Sequence, residues 1–163
     1  MADEIVIRPI EHSDNKAIAT IIRTTLTEFG VNKPGTVFYD DATDHLFEVF
    51  KNEPLSAYFI ALINGTIVGG AGIYPTEGLP NKTCELVKMY LLKEVRGMGL
   101  GRKMIDLSLM IAKQKGFEQV YLETMPELKK AIAVYEQFGF NYLPGPMGNS
   151  GHNFCDVWMI KKV

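Results

Sequence analysis

The chain has only two cysteines, Cys84 and Cys155, and one tryptophan, Trp158. The two thiols have neither metal-ligand spacing nor the density of a disulfide scaffold, so a reducing cytoplasm is the expected compartment. Long apolar runs are missing too. The longest candidate, AYFIALINGTIVGGAGIYP, is cut at Asn64-Gly65, well short of a membrane span. The acidic start, Met-Ala-Asp-Glu, is followed by no apolar signal region, and no secretory leader is expected. Without one, the sequons at Asn64 and Asn81 read as chance matches. Nor is there an excess of positive charge. A formal net charge of −2 excludes a chain built to coat nucleic acid or an anionic membrane. Low-complexity tracts, linkers and repeats are also absent, so residues 1–163 are expected to form a single domain with a sizeable core.

What is present is a regular alternation of strand and helix patterns. IVIRPI predicts a strand over 4–9, and Ala17, Ile18, Ile21, Ile22 and Leu26 predict a helix over 13–29, ended by Gly30. A short helix is expected near 43–52, with Thr43 or Asp44 as its N-cap. Asn64-Gly65 between two apolar runs predicts a hairpin with a type I′ turn. NKTCELVKMYLL gives a strand at 83–92, and LGRKMIDLSLMIAKQKG a helix at 100–115, closed by Gly116. FEQVYLET reads as a strand. The next helix carries a capping box, Thr124 with Glu127, and has Leu128, Ala131, Tyr135 and Phe138 on one face. The tail NFCDVWMIKKV is a last strand. The order β-α-α-β-β-β-α-β-α-β-β implies an α/β fold with a mixed sheet flanked by helices.

The stretch EVRGMGLGRKM sits between a strand and a helix, with Gly97, Gly99 and Gly101 at alternate positions among basic residues. Free backbone N–H groups and the positive end of a helix favour an anion there, and glycine lets the backbone approach it. A tight turn needing glycine only for its φ angles is the simpler alternative. A Walker A loop would need Ser or Thr after Gly-Lys, and GLGRKM has none. A dinucleotide fingerprint would need glycine or alanine where Arg102 or Met104 stands, although Glu123 occupies the place of a ribose-binding acid.

The pattern Arg96-x-x-Gly99-x-Gly101 resembles the coenzyme A loop of the GNAT N-acetyltransferase superfamily, Q/R-x-x-G-x-G/A. VYEQFGF, Val134 to Phe140, matches that family's Y-x-x-x-G-F, and the order and spacing of elements agree from about residue 5 to 161. The resemblance implies a GNAT fold and an acetyl-CoA-dependent enzyme that acetylates a primary amine by direct attack in a ternary complex. A non-catalytic acyl-CoA-binding or sensing domain on the same fold is the alternative. It also implies that Arg96, Gly97, Met98, Gly99, Leu100, Gly101, Arg102 and Lys103 wrap the pyrophosphate through backbone N–H groups. The backbone of Met89, Tyr90 and Leu91 would hold the pantetheine arm, and the amide of Met89 or Tyr90 would meet the oxyanion. Where many family members carry asparagine, seven residues before the tyrosine, this chain has Leu128.

By the same resemblance, Tyr135 is the candidate general acid, with a plain core aromatic as the other reading. Glu85 is the candidate base, or else a carboxylate paired with Lys82 or Lys88. The acceptor would enter between the first helices and the last hairpin, where Asp41, Asp44, His152 and Asp156 are the candidate substrate contacts. The acceptor class stays open between a small-molecule amine and a peptide amine, and family members are often homodimers. His152, Cys155 and Asp156 also suggest thiol catalysis, but a period-two strand sends His152 and Cys155 to opposite faces. An acidic helix start accounts for DDATDH, so no metal is expected.

Overall fold

A computed structural model of the protein describes residues 2–150 and 155–163. Strand β1 (Ile5–Pro9) leads through a 3₁₀ turn (His12–Asp14) into α1 (Asn15–Glu28), and two further 3₁₀ turns precede the short α2 (Leu46–Lys51). The hairpin β2 (Ala57–Ile63) and β3 (Thr66–Tyr74) follows, then β4 (Thr83–Leu91), α3 (Leu100–Gln114), β5 (Gln119–Thr124), α4 (Lys129–Gln137), β6 (Asn141–Leu143) and β7 (Val157–Lys162). The strands form one mixed sheet in the order β1-β2-β3-β4-β5-β7-β6. The expected element order is the observed one.

The sheet separates two apolar layers. On one face α1 and α2 lay Ile18, Ile22, Leu26 and Leu46 against Tyr58 and Ile60, and Cys155 closes that layer. On the other, Ile105 of α3 and Tyr135 of α4 pack with Ile73, Leu86, Val120, Leu122 and Met159. Each long helix is amphipathic at the expected spacing, so folding buries the stripe and leaves the charged face wet.

Helices α1, α3 and α4 stop in the same way. Gly30, Gly116 and Gly139 adopt φ of 72°, 92° and 89° just past the last turn. The next residues, Val31, Phe117 and Phe140, donate their amides back to Leu26, Ala112 and Tyr135 and bury their side chains. This is the Schellman arrangement, in which glycine supplies the left-handed residue and an apolar side chain locks the end. The Gly-Phe of YEQFGF is therefore a helix stop as well as part of a motif.

Two expected caps are not formed. Thr124 ends β5 opposite Val157 in the β5–β7 ladder, and α4 begins only at Lys129 after Leu128. Ladder pairing of Thr124 thus replaces the capping box with Glu127. Helix α2 begins at Leu46 after His45. The Thr43 hydroxyl donates to Val37 O at 2.8 Å, and Asp44 pairs with Arg23 instead.

The site is prepared by an irregularity in the middle of the sheet. The β4–β5 contact is the sheet's parallel one, and its register covers only Thr83–Glu85 against Gln119–Tyr121. Beyond Glu85 the two strands part while each remains paired to its other neighbour. On the β3 side, Gly70 faces Tyr90 and Gly72 faces Val87, so Lys88 and Met89 together oppose Ala71. That is a β-bulge, and Lys88 takes a left-handed φ of 49° to make it.

Candidate active site

The parted strands open into a cavity of about 480 Å³ between β4, α3, α4 and the end of α1. Its walls are mainly apolar: Phe29, Met89, Leu91, Ile105, Leu128 and Val134. One end is polar. There the glycine loop turns into α3, with Gly97 at φ 83° and Gly99 at φ 81°. A Cβ at either would meet nothing within 4 Å, so these glycines serve their backbone angles rather than crowding. Gly101 differs. It is helical, and its Cβ would lie 3.3 Å from Met89 Cε across the groove.

Gly99 is the N-cap of α3 and brings no side chain to its first turn. The first backbone bond there runs from Lys103 N to Gly99 O, 3.2 Å. The amides of Leu100, Gly101 and Arg102 thus point out of the helix end, where its dipole favours an anion. Arg96 N is engaged with Lys93 O. The Arg96 guanidinium is engaged as well, donating twice to Leu91 O and twice to the Glu28 carboxylate, with the Phe29 ring 5.2 Å away. The Arg96 hydrogen bond holds the Glu28 carboxyl below its ordinary range. Arg96 therefore fastens the loop to α1. Arg102 reaches Gln137 of α4, and Met98 and Lys103 are exposed.

Tyr135 faces the middle of the groove. Its hydroxyl lies 3.9 Å from Met89 Sδ, its ring packs edge-on against Phe140, and burial pushes its pKa up to about 12. It is neutral, with a proton to give, across the physiological range. Along β4, Leu92 N donates to Val68 O, so alternation turns Tyr90 toward β3 and leaves Met89 and Leu91 facing the opened side.

Glu85 stands where β4 and β5 part, 4% exposed and in register with Tyr121. Its carboxylate accepts the Thr76 hydroxyl at 2.6 Å. The lysines weighed as its partners are held elsewhere: Lys82 by Glu118 at 3.3 Å and Lys88 by Asp40 at 3.2 Å. Two residues on from Tyr121, Glu123 accepts the Tyr121 hydroxyl at 2.6 Å and the Ser150 hydroxyl. The Met147 amide donates to the same Tyr121 oxygen, which holds Met147 over this face. Burial first, then Glu123 and Glu85, push the Cys155 thiol up to about 12, which makes it a poor nucleophile.

Of the residues expected to meet an acceptor, Asp44 is bound bidentately by Arg23 at 2.6 and 2.8 Å. Asp41 and Asp156 are exposed, and His152 lies outside the described residues. Among the described residues no three His, Cys, Asp or Glu side chains are grouped to hold a metal ion, and no helix is long and apolar enough to cross a membrane. Sequence reasoning missed Tyr58 and Tyr121, and it weighed Glu123 only as a ribose-binding acid. The repeated glycines of TIVGGAGIY were the available signal for Tyr58, since Gly70 and Gly72 lie directly under its ring.

The family profile of the acetyltransferase (GNAT) family matches residues 19–140. The chain belongs to that family. This GNAT chain is 38% identical to the uncharacterised N-acetyltransferase YjgM of Escherichia coli K12, over 97% of its own length and 95% of that protein's. A GNAT acetyltransferase from Staphylococcus aureus superposes with a TM-score of 0.84 at 20% identity, covering 98% and 99% of the two chains. A Salmonella typhimurium protein solved with its cofactor acetyl-CoA superposes at 0.74 and 19% identity, covering 98% and 94%. The GNAT fold expected from the loop and the YEQFGF motif is thus the observed one.

Proposed function

We propose that residues 1–163 act as a single acetyl-CoA-dependent N-acetyltransferase domain. It would pass an acetyl group to a primary amine of a small molecule or peptide while both substrates are bound. The observation that carries this reading is the groove itself, with open helix amides at one end and a buried neutral tyrosine lining it beside β4. Its apolar walls suit a pantetheine arm, its volume suits a cofactor-sized ligand, and its polar end suits a pyrophosphate. Acetyl-CoA would supply the activated acyl thioester.

The chain's own groups divide the remaining work. The amides of the glycine loop and the first turn of α3 hold phosphate oxygens. The backbone of Met89 and Leu91, facing the opened side of β4, aligns the arm by hydrogen bonds that any side chain permits. The Met89 N–H meets the charge that develops on the carbonyl oxygen. Glu85 takes the proton of the incoming ammonium, directly or through water, and Tyr135 returns a proton to the departing sulfur. Leu128 is apolar, so the contact that many family members make with asparagine would be either absent or supplied by another group.

Release of free thiol from acetyl-CoA over a panel of amines, amino acids, polyamines and peptides identifies the acceptor. With that acceptor, Tyr135→Phe should lower kcat by roughly 100-fold or more while acetyl-CoA still binds. Wild-type turnover by the variant across pH would remove Tyr135 from the chemistry. Tight acetyl-CoA binding with no turnover on any amine would favour a sensing domain instead.

A further inference from the structure

Tyr58 belongs to β2, yet its hydroxyl donates to the carbonyl of Lys88 on β4, at 2.7 Å, across the whole width of β3. The crossing is possible because β3 has no side chain under the ring. A Cβ at Gly70 would lie 2.6 Å from the Tyr58 hydroxyl, and one at Gly72 2.7 Å from Cδ2. Phe50 covers the ring from the other side, with centroids 5.0 Å apart, and the residue is 2% exposed. At the bulge the Tyr58 hydroxyl gives the Lys88 carbonyl a hydrogen-bond partner, and a buried carbonyl deprived of one is costly. Lys88 is also a side-chain-bearing residue held at φ 49°, a conformation that persists only where its surroundings impose it.

We propose that Tyr58 is a positioning residue for acetyl transfer. Its hydroxyl anchors the Lys88 carbonyl, keeps the bulge in its left-handed form, and thereby aims the next amide, Met89 N–H, at the thioester carbonyl oxygen. Lys88 supports the same geometry from its other end, where its ammonium meets Asp40 at 3.2 Å. The inference rests on the acetyl-CoA reading of the groove, and its test separates the two.

The readout is the carbonyl stretch of carbonyl-labelled acetyl-CoA bound to the protein, recorded by difference infrared spectroscopy, which needs no acceptor. In the wild type the bound stretch should fall below its value in water, as a well-aimed N–H donor polarises the carbonyl. In Tyr58→Phe it should return toward the solution value. With an acceptor in hand, kcat should drop by about tenfold or more while KM for acetyl-CoA changes by less than about threefold. Gly70→Ala, which leaves Tyr58 in the chain but displaces its hydroxyl, should act in the same sense. Ile22→Val, a core truncation in the same apolar layer, should leave stretch and kcat unchanged despite its loss of stability. Thermal unfolding of each variant reports the folded fraction used. A shifted stretch that survives in both Tyr58→Phe and Gly70→Ala sinks this inference alone. Failure of the wild type to bind acetyl-CoA sinks the reading of the groove and this inference with it.

Discussion

Tyr58, Tyr90, Tyr121 and Tyr135 share one electrostatic condition: burial raises the pKa of each phenol, and Glu123 adds to the effect at Tyr121. Burial likewise lifts the Cys84 and Cys155 thiols to about 12. All six groups hold their protons more tightly folded than unfolded. Their contribution to stability is complete below about pH 9, where the unfolded thiols begin to ionise, and is lost progressively as pH rises toward 12. Each group ionised only in the unfolded chain lowers stability by about 1.4 kcal/mol per pH unit. Urea unfolding at pH 8, 9.5 and 11 should therefore show a steadily falling midpoint. Tyr39 and Tyr142 are exposed, so in a Tyr39→Phe, Tyr142→Phe background most tyrosinate absorbance should appear with unfolding rather than before it. Full tyrosinate absorbance from that variant while still folded would contradict the burial.

At the scale of elements, the three glycines of the loop are not equivalent, and their substitution separates backbone angle from contact. Gly99→Ala puts a Cβ into open space at φ 81°, so its whole effect is strain, about 1–2 kcal/mol. Gly101→Ala sits in helical backbone, where alanine is favoured by roughly 0.5–1 kcal/mol, but its methyl enters the groove beside Met89. Thermal melts should place Gly99→Ala below the wild type and Gly101→Ala at or above it, while calorimetry should show weaker acetyl-CoA binding for both. Unchanged binding by Gly101→Ala would argue that the ligand lies elsewhere. The same contrast marks what was legible in the sequence. The Asn64-Gly65 turn, the helix stops at Gly30 and Gly116, and the loop itself are local, and each was readable from a few neighbouring residues. The misread caps were lost to partners distant in sequence: Val157 for Thr124 and Arg23 for Asp44. Tyr58 was invisible for the same reason. Its role depends on two missing side chains on one strand and a bulge on another.

Across the whole molecule, the short β4–β5 register divides the sheet into β1–β4 on one side and β5, β7 and β6 on the other. The cavity lies over that division, with β4 and the glycine loop forming one wall and α4 the other. A ligand filling it would touch both halves. The chain's two ends are carried by β1 on one side and β7 on the other, so a tensile load applied between them must cross the division. Three register pairs in parallel form a weak fastening, and they should be the first to rupture when the protein is stretched in an optical trap. Acetyl-CoA should then behave as a clasp, raising the rupture force along this axis, whereas an unchanged force would mean the ligand bridges nothing. A gap opened to admit a thioester would thus make the protein's toughness under tension depend on whether its substrate is in place.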